Sequence, residues 1–516
     1  MLVHEFLEKS AELYPDKVSL ICQDRRLTFI EIAKAANSLS SALIEEGFHG
    51  QNRVVIYLDN SVESVVSLFG ILKAGGVFVI VSPQVKARKL DYILRDCQAR
   101  ILITDSRHLA QVYDVVALSP SLEVIVVTDY EKASTINKMT IGCKMLSYGE
   151  VVGRSSAATA MPGCKDTDLA SLIYTSGSSG NPKGVMLTHH NMVSAATSII
   201  QYLENNSDDI IIDTLPLSFD YGLYQVLMAF KFGGTVVLEK AFVYPQQVVD
   251  LVVREKVTGW PMVPTIIAIL LGLRDLNKHD FSSLRYITST GQALPPKHIA
   301  RLRDIFPRVK IYSMYGLTEC KRVSYLPPDE LDRRPGSVGK AMPNTEAYIV
   351  DEEGKAITEA GKPGELVVRG PNVMKGYWNL PKETTRALRP GLDPSEKVLY
   401  TGDLFEKDEE GYLYFLGRKD DIIKTAGHMV SPKEVENLLC EREDIVEAAV
   451  VGVDDEILGQ AIKAYVHLTD ASKVTEEDII RFCRGHLEDF AVPKYVDFCQ
   501  ALPKTDTGKI QKRDLK

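Results

Sequence analysis

The sequence predicts an α/β protein: two large α/β units, then a small, mostly β unit, then a mixed α/β C-terminal portion. Three observations carry this. Up to about Gly336, short strands apolar on both faces alternate with helical stretches, the pattern of a parallel sheet covered on both sides. From Gly336 to Glu410 the signal changes to short strands separated by Gly, Pro and Asp turns. From about Lys419 helix and strand signals mix again, with high charge.

The elements follow in order. VHEFLEKSAELYP reads as a helix, and KVSLICQ and RRLTF as strands. Thr28 and Glu31 have capping-box spacing and open the periodic helix FIEIAKAANSLSSALIEEG, which Gly47 ends. RVVIYLDN is a short buried strand. SVESVVSLFGILKAGGVFVIVSP is helix, glycine pair, strand; DYILRDCQARILITDS repeats helix and strand; LEVIVVTD is another strand. The stretch from Glu131 to Lys165 has little pattern and reads as irregular surface. THHNMVSAATSIIQYL is a helix, DIIIDTLPLSFDYGL is strand-like, YQVLMAFKFG is a helix and TVVLEK a strand. LRYITSTGQALP and VKIYSMYGLTE are strands that run into tight turns. EAYIVDEEGKAI, GELVVRG and GYLYFLGR supply the β unit. Ser431 and Glu434 have capping-box spacing for a later helix.

Composition bounds the function. A chain of 516 residues suggests about three or four folding units. Hydrophobic content of 45% and charged content of 25% are those of an ordinary globular protein. A net charge of −9 with no basic stripe argues against nucleic acid as partner. The eight cysteines are scattered, without C-x-x-C or zinc spacing, as expected of reduced thiols in a cytoplasmic protein. The N-terminus has no signal-peptide core, and the longest apolar run, Met262 to Leu273, is too short for a membrane span.

Chemistry concentrates first in Ile173–Val185, IYTSGSSGNPKGV. Hydroxyls and glycines cannot build a core there. The amides of Gly177 and Gly180 can approach a ligand closely, and successive N–H groups form a nest for an anion. Thr175, Ser176, Ser178 and Ser179 add donors and Lys183 a positive charge, so the expected target is a polyphosphate. The alternative is a flexible Gly/Ser linker, but linkers rarely end in Pro-Lys-Gly between apolar segments. The common triphosphatase loop does not fit, since no Gly-Lys pair here is followed by Ser or Thr.

TSGSSGNPKGV resembles the phosphate loop of the adenylate-forming superfamily, which holds acyl- and aryl-CoA synthetases, luciferases and carrier-loading adenylation domains. Five further motifs follow in that family's order. STGQALPP matches the turn lining the adenine, with Gly291, Gln292 and Ala293. Tyr315-Gly316-Leu317-Thr318-Glu319 matches Y-G-x-T-E: the aromatic stacks on the base, Thr318 donates to phosphate, and Glu319 is the implied magnesium ligand. Tyr400-Thr401-Gly402-Asp403 carries the aspartate that accepts from the ribose hydroxyls. Gly417-Arg418-Lys419-Asp420 carries a ribose or phosphate contact in Arg418 and the implied hinge in Asp420. Lys424 is a further nucleotide contact, and Gly427 would line a thiol tunnel. Near the end, PKTDTGKI places the family's catalytic lysine at Lys509.

The resemblance implies a large N-terminal domain, residues 1–418, of two doubly wound α/β subdomains plus a small β subdomain. A small mobile α+β domain, residues 419–516, follows. It also implies a two-step ligase using ATP and Mg²⁺, with catalysis by Lys509, Glu319, Thr175 and Lys183. The acceptor is the thiol of CoA or of a carrier protein's phosphopantetheine, and the partner is a small carboxylic acid. Phe219, Asp220, Tyr221, Tyr224, Thr288, Thr290, Met314, Arg322 and Val323 match the acid pocket. Asp220 has two readings: it binds a substrate ammonium, as in amino-acid-activating domains, or it pairs with Arg322 and shapes the pocket. A non-catalytic nucleotide-binding relative is the remote alternative.

Overall fold

The computed structural model describes residues 1–516 except 133–141, 155–162, 176–180, 292–293, 420, 426–427, 456–457, 470–472, 506–509 and 516, and the side chains of 424, 428, 429 and 513. Its strands form three sheets.

The first sheet has eight strands. From one edge they run Gly376–Tyr377, Lys183–Thr188, Leu169–Thr175, Val77–Ile80, Arg53–Tyr57, Ile101–Thr104, Val124–Val127 and Lys144–Ser147. The last five run parallel to one another, Val77–Ile80 pairs in parallel with Leu169–Thr175, and all of the five but Lys144–Ser147 are mostly buried apolar strands. The other two join antiparallel. Lys144–Ser147 and the short helix Tyr148–Gly153 lie inside the stretch expected to be irregular surface. Their signal was hidden because the strand is only partly buried.

The second sheet has fourteen strands. Its parallel centre runs Val18–Cys22, Thr235–Leu238, Ile210–Asp213, Gly259–Met262, Tyr286–Ser289, Lys310–Tyr315. The chain's first strands thus join the second sheet, beside a strand some two hundred residues away. The expected β unit is continuous with this sheet. Ser324–Leu326 pairs antiparallel with Lys310–Tyr315, and Ser337–Ala341 links it to Leu413–Arg418. The open edge of the parallel centre is covered this way, as sheet edges generally must be.

The third sheet uses only later residues. Ile423–Thr425, His428–Val430, Ile445–Asp455, Gly459–Leu468 and Tyr495–Phe498 pack with helices Pro432–Cys440 and Glu476–Arg484 around their own apolar core. The expected large N-terminal portion and small C-terminal α+β portion are both present.

Local rules account for several boundaries. The capping box at Thr28 and Glu31 forms as expected, with Glu31 Oε2 accepting from Thr28 N at 2.8 Å. Gly47, at φ +74°, follows that helix in the left-handed region. The Ser431–Glu434 box does not form. Ser431 Oγ donates instead to the Leu416 carbonyl, tying the C-terminal portion to the end of the second sheet. The helix expected at Tyr224 begins at Asp220. The strand before it is only Ile210–Asp213, because Pro216 breaks the run.

Two buried histidines fasten the N-terminus. Val3 N donates to His189 Nδ1 at 3.0 Å, and the His4 and His189 rings meet edge to face. Burial pushes both rings down to about 4 from the ordinary 6.5. The unfolded chain therefore takes up protons first as pH falls. Stability is fully present above about pH 6.5 and drains away towards pH 4. The midpoint of thermal unfolding is expected to be level above pH 6.5 and to fall below it. A double variant, His4→Asn with His189→Asn, should show a shallower fall; an unchanged slope would assign the effect to other groups.

Candidate active site

Two neighbouring parallel strands, Tyr286–Ser289 and Lys310–Tyr315, end at the same edge of the second sheet. The crevice beyond strand C-termini is where open α/β sheets bind ligands. The first strand releases Thr290 and Gly291, the latter at φ +95°. The second releases Gly316, Leu317 and Thr318. These five residues line a cleft of about 440 Å³, counting its open mouth. Phe219, Asp220, Tyr221 and Tyr224 enter from the start of helix Asp220–Phe232, Ile199 from helix His189–Leu203, and Lys321 and Arg322 from the turn beyond Glu319.

Gly316 is required by this turn. A Cβ there would stand 2.2 Å from the Lys321 carbonyl oxygen. Asn372 holds the same turn from outside, donating through Nδ2 to the carbonyls of Cys320 at 2.8 Å and Arg322 at 3.1 Å.

The inner end of the cleft is charged. Lys321 is 5% exposed, and its Nζ stands 3.9 Å from Asp220 Oδ2 and 5.1 Å from the centre of the Tyr224 ring. The cation nearest Asp220 is therefore Lys321, not the Arg322 of the pairing expected from sequence. Burial pushes the Lys321 ammonium down to about 8, with Asp220 opposing. Arg322 lies over the Tyr221 ring at 5.3 Å. Tyr221 OH meets Thr288 Oγ1 at 2.6 Å. Burial, then Asp220, raises the Tyr224 phenol well above its usual range.

Two carboxylates stand beyond the cleft's outer end. Asp403 is buried, with Arg418 donating to Oδ1 at 2.6 Å and the Tyr315 hydroxyl donating to Oδ2. Glu319 Oε1 accepts from Tyr377 OH at 2.7 Å, while its backbone carbonyl accepts from Met374 N. Lys183 Nζ lies 5.4 Å from the centre of the same Tyr377 ring. Lys183 is the first residue of its strand, paired opposite Thr175, so Tyr377 bridges the stem of the hydroxyl–glycine loop and Glu319.

The expected residues thus divide. Phe219, Asp220, Tyr221, Tyr224, Thr290, Gly291, Gly316, Thr318 and Arg322 share one cleft. Thr288, Met314 and Val323 are buried and do not line it; Met314 accepts from Tyr202 OH. The Tyr315 ring packs against Phe405 and Phe415. Ser176, Gly177, Ser178, Ser179, Gly180, Gln292, Ala293, Asp420, Gly427 and Lys509, and the side chain of Lys424, lie outside the described residues. Sequence reading missed Lys321, Asn372 and Tyr377. A lysine directly after Y-G-L-T-E-C was the one available signal. Nothing local marks Asn372 or Tyr377, whose partners in this turn, Cys320, Arg322 and Glu319, are fifty or more residues away.

Comparison with known proteins gives the family. The family model described as AMP-binding enzyme matches residues 7–378, and that of the AMP-binding enzyme C-terminal domain matches residues 434–509. A long-chain-fatty-acid–CoA ligase of Bacillus subtilis (strain 168) is 32% identical over 99% of this chain and 94% of its own. The anthranilate CoA ligase AuaEII, solved with anthranoyl-AMP, superposes with a TM-score of 0.89 at 29% identity, covering 100% of this chain and 96% of its own. An o-succinylbenzoate CoA synthetase from Bacillus subtilis, solved with ATP and magnesium, has a TM-score of 0.84 at 26% identity, covering 99% and 98%. The chain belongs to the AMP-binding enzymes of the adenylate-forming superfamily, among their AMP-forming acid–CoA ligases.

Proposed function

We propose that this ligase activates a small polar carboxylic acid with ATP and passes the acyl group to the thiol of CoA. One observation carries the reading: the motif residues Thr290, Gly291, Gly316 and Thr318 line the same cleft as Asp220, Tyr224, Lys321 and Arg322. A nucleotide strip and a charged acid pocket are therefore one space. A long alkyl tail would leave those polar groups buried without partners, which is costly.

The chemistry needs no nucleophilic side chain. The acid's carboxylate attacks the α-phosphorus of ATP, the new P–O bond forms, and pyrophosphate leaves. The thiol of CoA then attacks the acyl carbon, losing its proton, and AMP leaves. The protein supplies position and charge. In this reading Thr175, Ser176, Gly177, Ser178 and Gly180 hold the leaving phosphates, with Lys183 as a supporting cation. Asp403 accepts from the ribose, and Gln292, Ala293, Tyr315 and Lys424 complete the nucleotide site. Lys509 meets the charge that develops at the α-phosphorus, where a preorganised cation acts selectively on the transition state. The domain of residues 419–516 turns about Asp420 between the two steps and brings Gly427 to the thiol path.

Glu319 fits a magnesium ion. A single carboxylate with an uncharged donor on Oε1 suits an ion that takes one or two carboxylates and otherwise phosphate oxygens and water. When bound, it supplies charge neutralisation on the phosphates. Tyr377 holds Oε1 with a neutral donor and leaves the carboxylate its charge.

The place of Asp220 in the cleft favours a second reading, an amino-acid ligase that loads a carrier protein. Against it, Lys321 already stands beside Asp220 as counter-ion.

ATP–pyrophosphate exchange over fatty, aryl, amino and oxygenated acids tests the assignment, with CoA and a carrier protein compared as acceptors. Exchange with unsubstituted fatty acids alone would defeat the polar-acid reading. Lys509→Ala should lower adenylation at least about a hundredfold yet spare thioester formation from synthetic acyl-adenylate; loss of both would contradict the two-step division. Glu319→Gln should raise the magnesium requirement. Tyr377→Phe should do so by roughly tenfold, as for a partner that orients a metal ligand, with the KM for the acid unchanged. A magnesium dependence identical to wild type in both variants would remove Glu319 from the metal site.

A further inference from the structure

The inner end of the cleft holds donors without acceptors. Lys321 Nζ, Arg322 Nε and Tyr224 OH are all buried and make no hydrogen bond among the described residues. An ammonium carries three donors. Its carboxylate neighbour, Asp220, is 3.9 Å away, beyond hydrogen-bond range. Buried polar groups in native proteins are nearly always satisfied, so an orphaned ammonium lining a cleft calls for a ligand atom. Charge narrows the choice. Among the residues that line the cleft, Lys321 and Arg322 in their ordinary forms carry two positive charges against one negative on Asp220; the charge of Glu319 also reaches Lys321, and in the ligase reading a metal ion meets it. A substrate ammonium would add to that surplus. An alkyl tail would seal the donors away unpaired. An oxygen acceptor satisfies them.

We propose that Lys321 is the specificity residue of the acid pocket, its ammonium receiving a hydroxyl, oxo or carboxylate oxygen on the tail of the acid. This rests on the ligase reading and deepens it. Asp220 is then a positioning residue that holds Lys321 charged and aimed, not a binder of ammonium.

The test uses the full chain and matched acids: butyrate, β-hydroxybutyrate, succinate and γ-aminobutyrate, then hexanoate, adipate and ε-aminocaproate. Pyrophosphate exchange is measured for wild type, Lys321→Met, which keeps the stem and removes the charge, and Lys321→Arg, which keeps the charge. Wild type should prefer an oxygenated acid over its plain and amino counterparts by roughly ten- to a hundredfold in kcat/KM, the cost of leaving a buried donor unsatisfied. Lys321→Met should erase that preference chiefly through the KM for the acid, with the KM for ATP unchanged. Lys321→Arg should keep part of it. Equal losses for every acid in Lys321→Met, or a wild-type preference for the amino or plain acids, would overturn the proposal. Should no acid support exchange, the ligase reading fails on its own. Calorimetric titration of the same acids then decides the Lys321 proposal separately: tighter binding of oxygenated acids that Lys321→Met abolishes supports it, and binding indifferent to Lys321 overturns it.

Discussion

The close approach of Gly316 to the backbone of Lys321 is the constraint on which the site depends. A methyl group at Gly316 would stand 2.2 Å from a carbonyl oxygen, so any other residue there would push the turn open. The turn gathers Thr318, Glu319, Lys321 and Arg322 within a few residues of the end of Lys310–Tyr315. Asn372 and Met374 clamp it from the far side through the carbonyls of Cys320, Arg322 and Glu319. The next residues, Gly376–Tyr377, pair with the strand that begins at Lys183. One short segment thus fastens the turn of the second sheet to the loop stem of the first. Backbone pairing at Met374 and Gly376–Tyr377 and the side chains of Asn372 and Tyr377 together hold the two sheets at the cleft.

Within that frame the cleft combines two kinds of surface. Its outer part offers glycines and hydroxyls, which let a ligand come close and accept or donate without charge. Its inner part offers Asp220, Lys321 and Arg322 around tyrosine rings. In a low-dielectric interior a charge without partners is expensive, so such groups imply a ligand that answers them. The relatives act on acids as different as a long-chain fatty acid and anthranilate by their names. The acid this chain takes must be read from its own residues.

The motif residues and the α/β class were legible in the sequence because each depends on local chemistry: glycines where backbone approaches, hydroxyls in a loop, apolar strands between helices. The sheet order was not. Val18–Cys22 joins Thr235–Leu238, and no local pattern carries a pairing across such a distance. The β unit looked separate because its strands alternate differently, yet it extends the parallel sheet through Ser337–Ala341. The Ser431 capping box had the right spacing and still lost to a tertiary hydrogen bond with Leu416. Thr288, Met314 and Val323 matched pocket positions in sequence, and in the fold they are buried beside the cleft without lining it. Lys321 and Tyr377 were passed over because a lysine and a tyrosine have many ordinary uses, and only their distant partners show which use applies here.

The two carboxylates outside the cleft show how similar side chains are fitted for different work. Each is held by a tyrosine hydroxyl: Asp403 by Tyr315 and Glu319 by Tyr377. A phenol orients a carboxylate without cancelling its charge, and burial keeps both phenols from ionising in its place. The difference lies in the second partner. Asp403 is buried with Arg418 on its other oxygen, so its charge is already balanced. Such a group is suited to accept hydrogen bonds from neutral hydroxyls. Glu319 has no guanidinium on it at hydrogen-bond distance among the described residues. Its charge is left for a cation to meet. Charge balance thus supports the proposed assignment of ribose to Asp403 and magnesium to Glu319 independently of the motif.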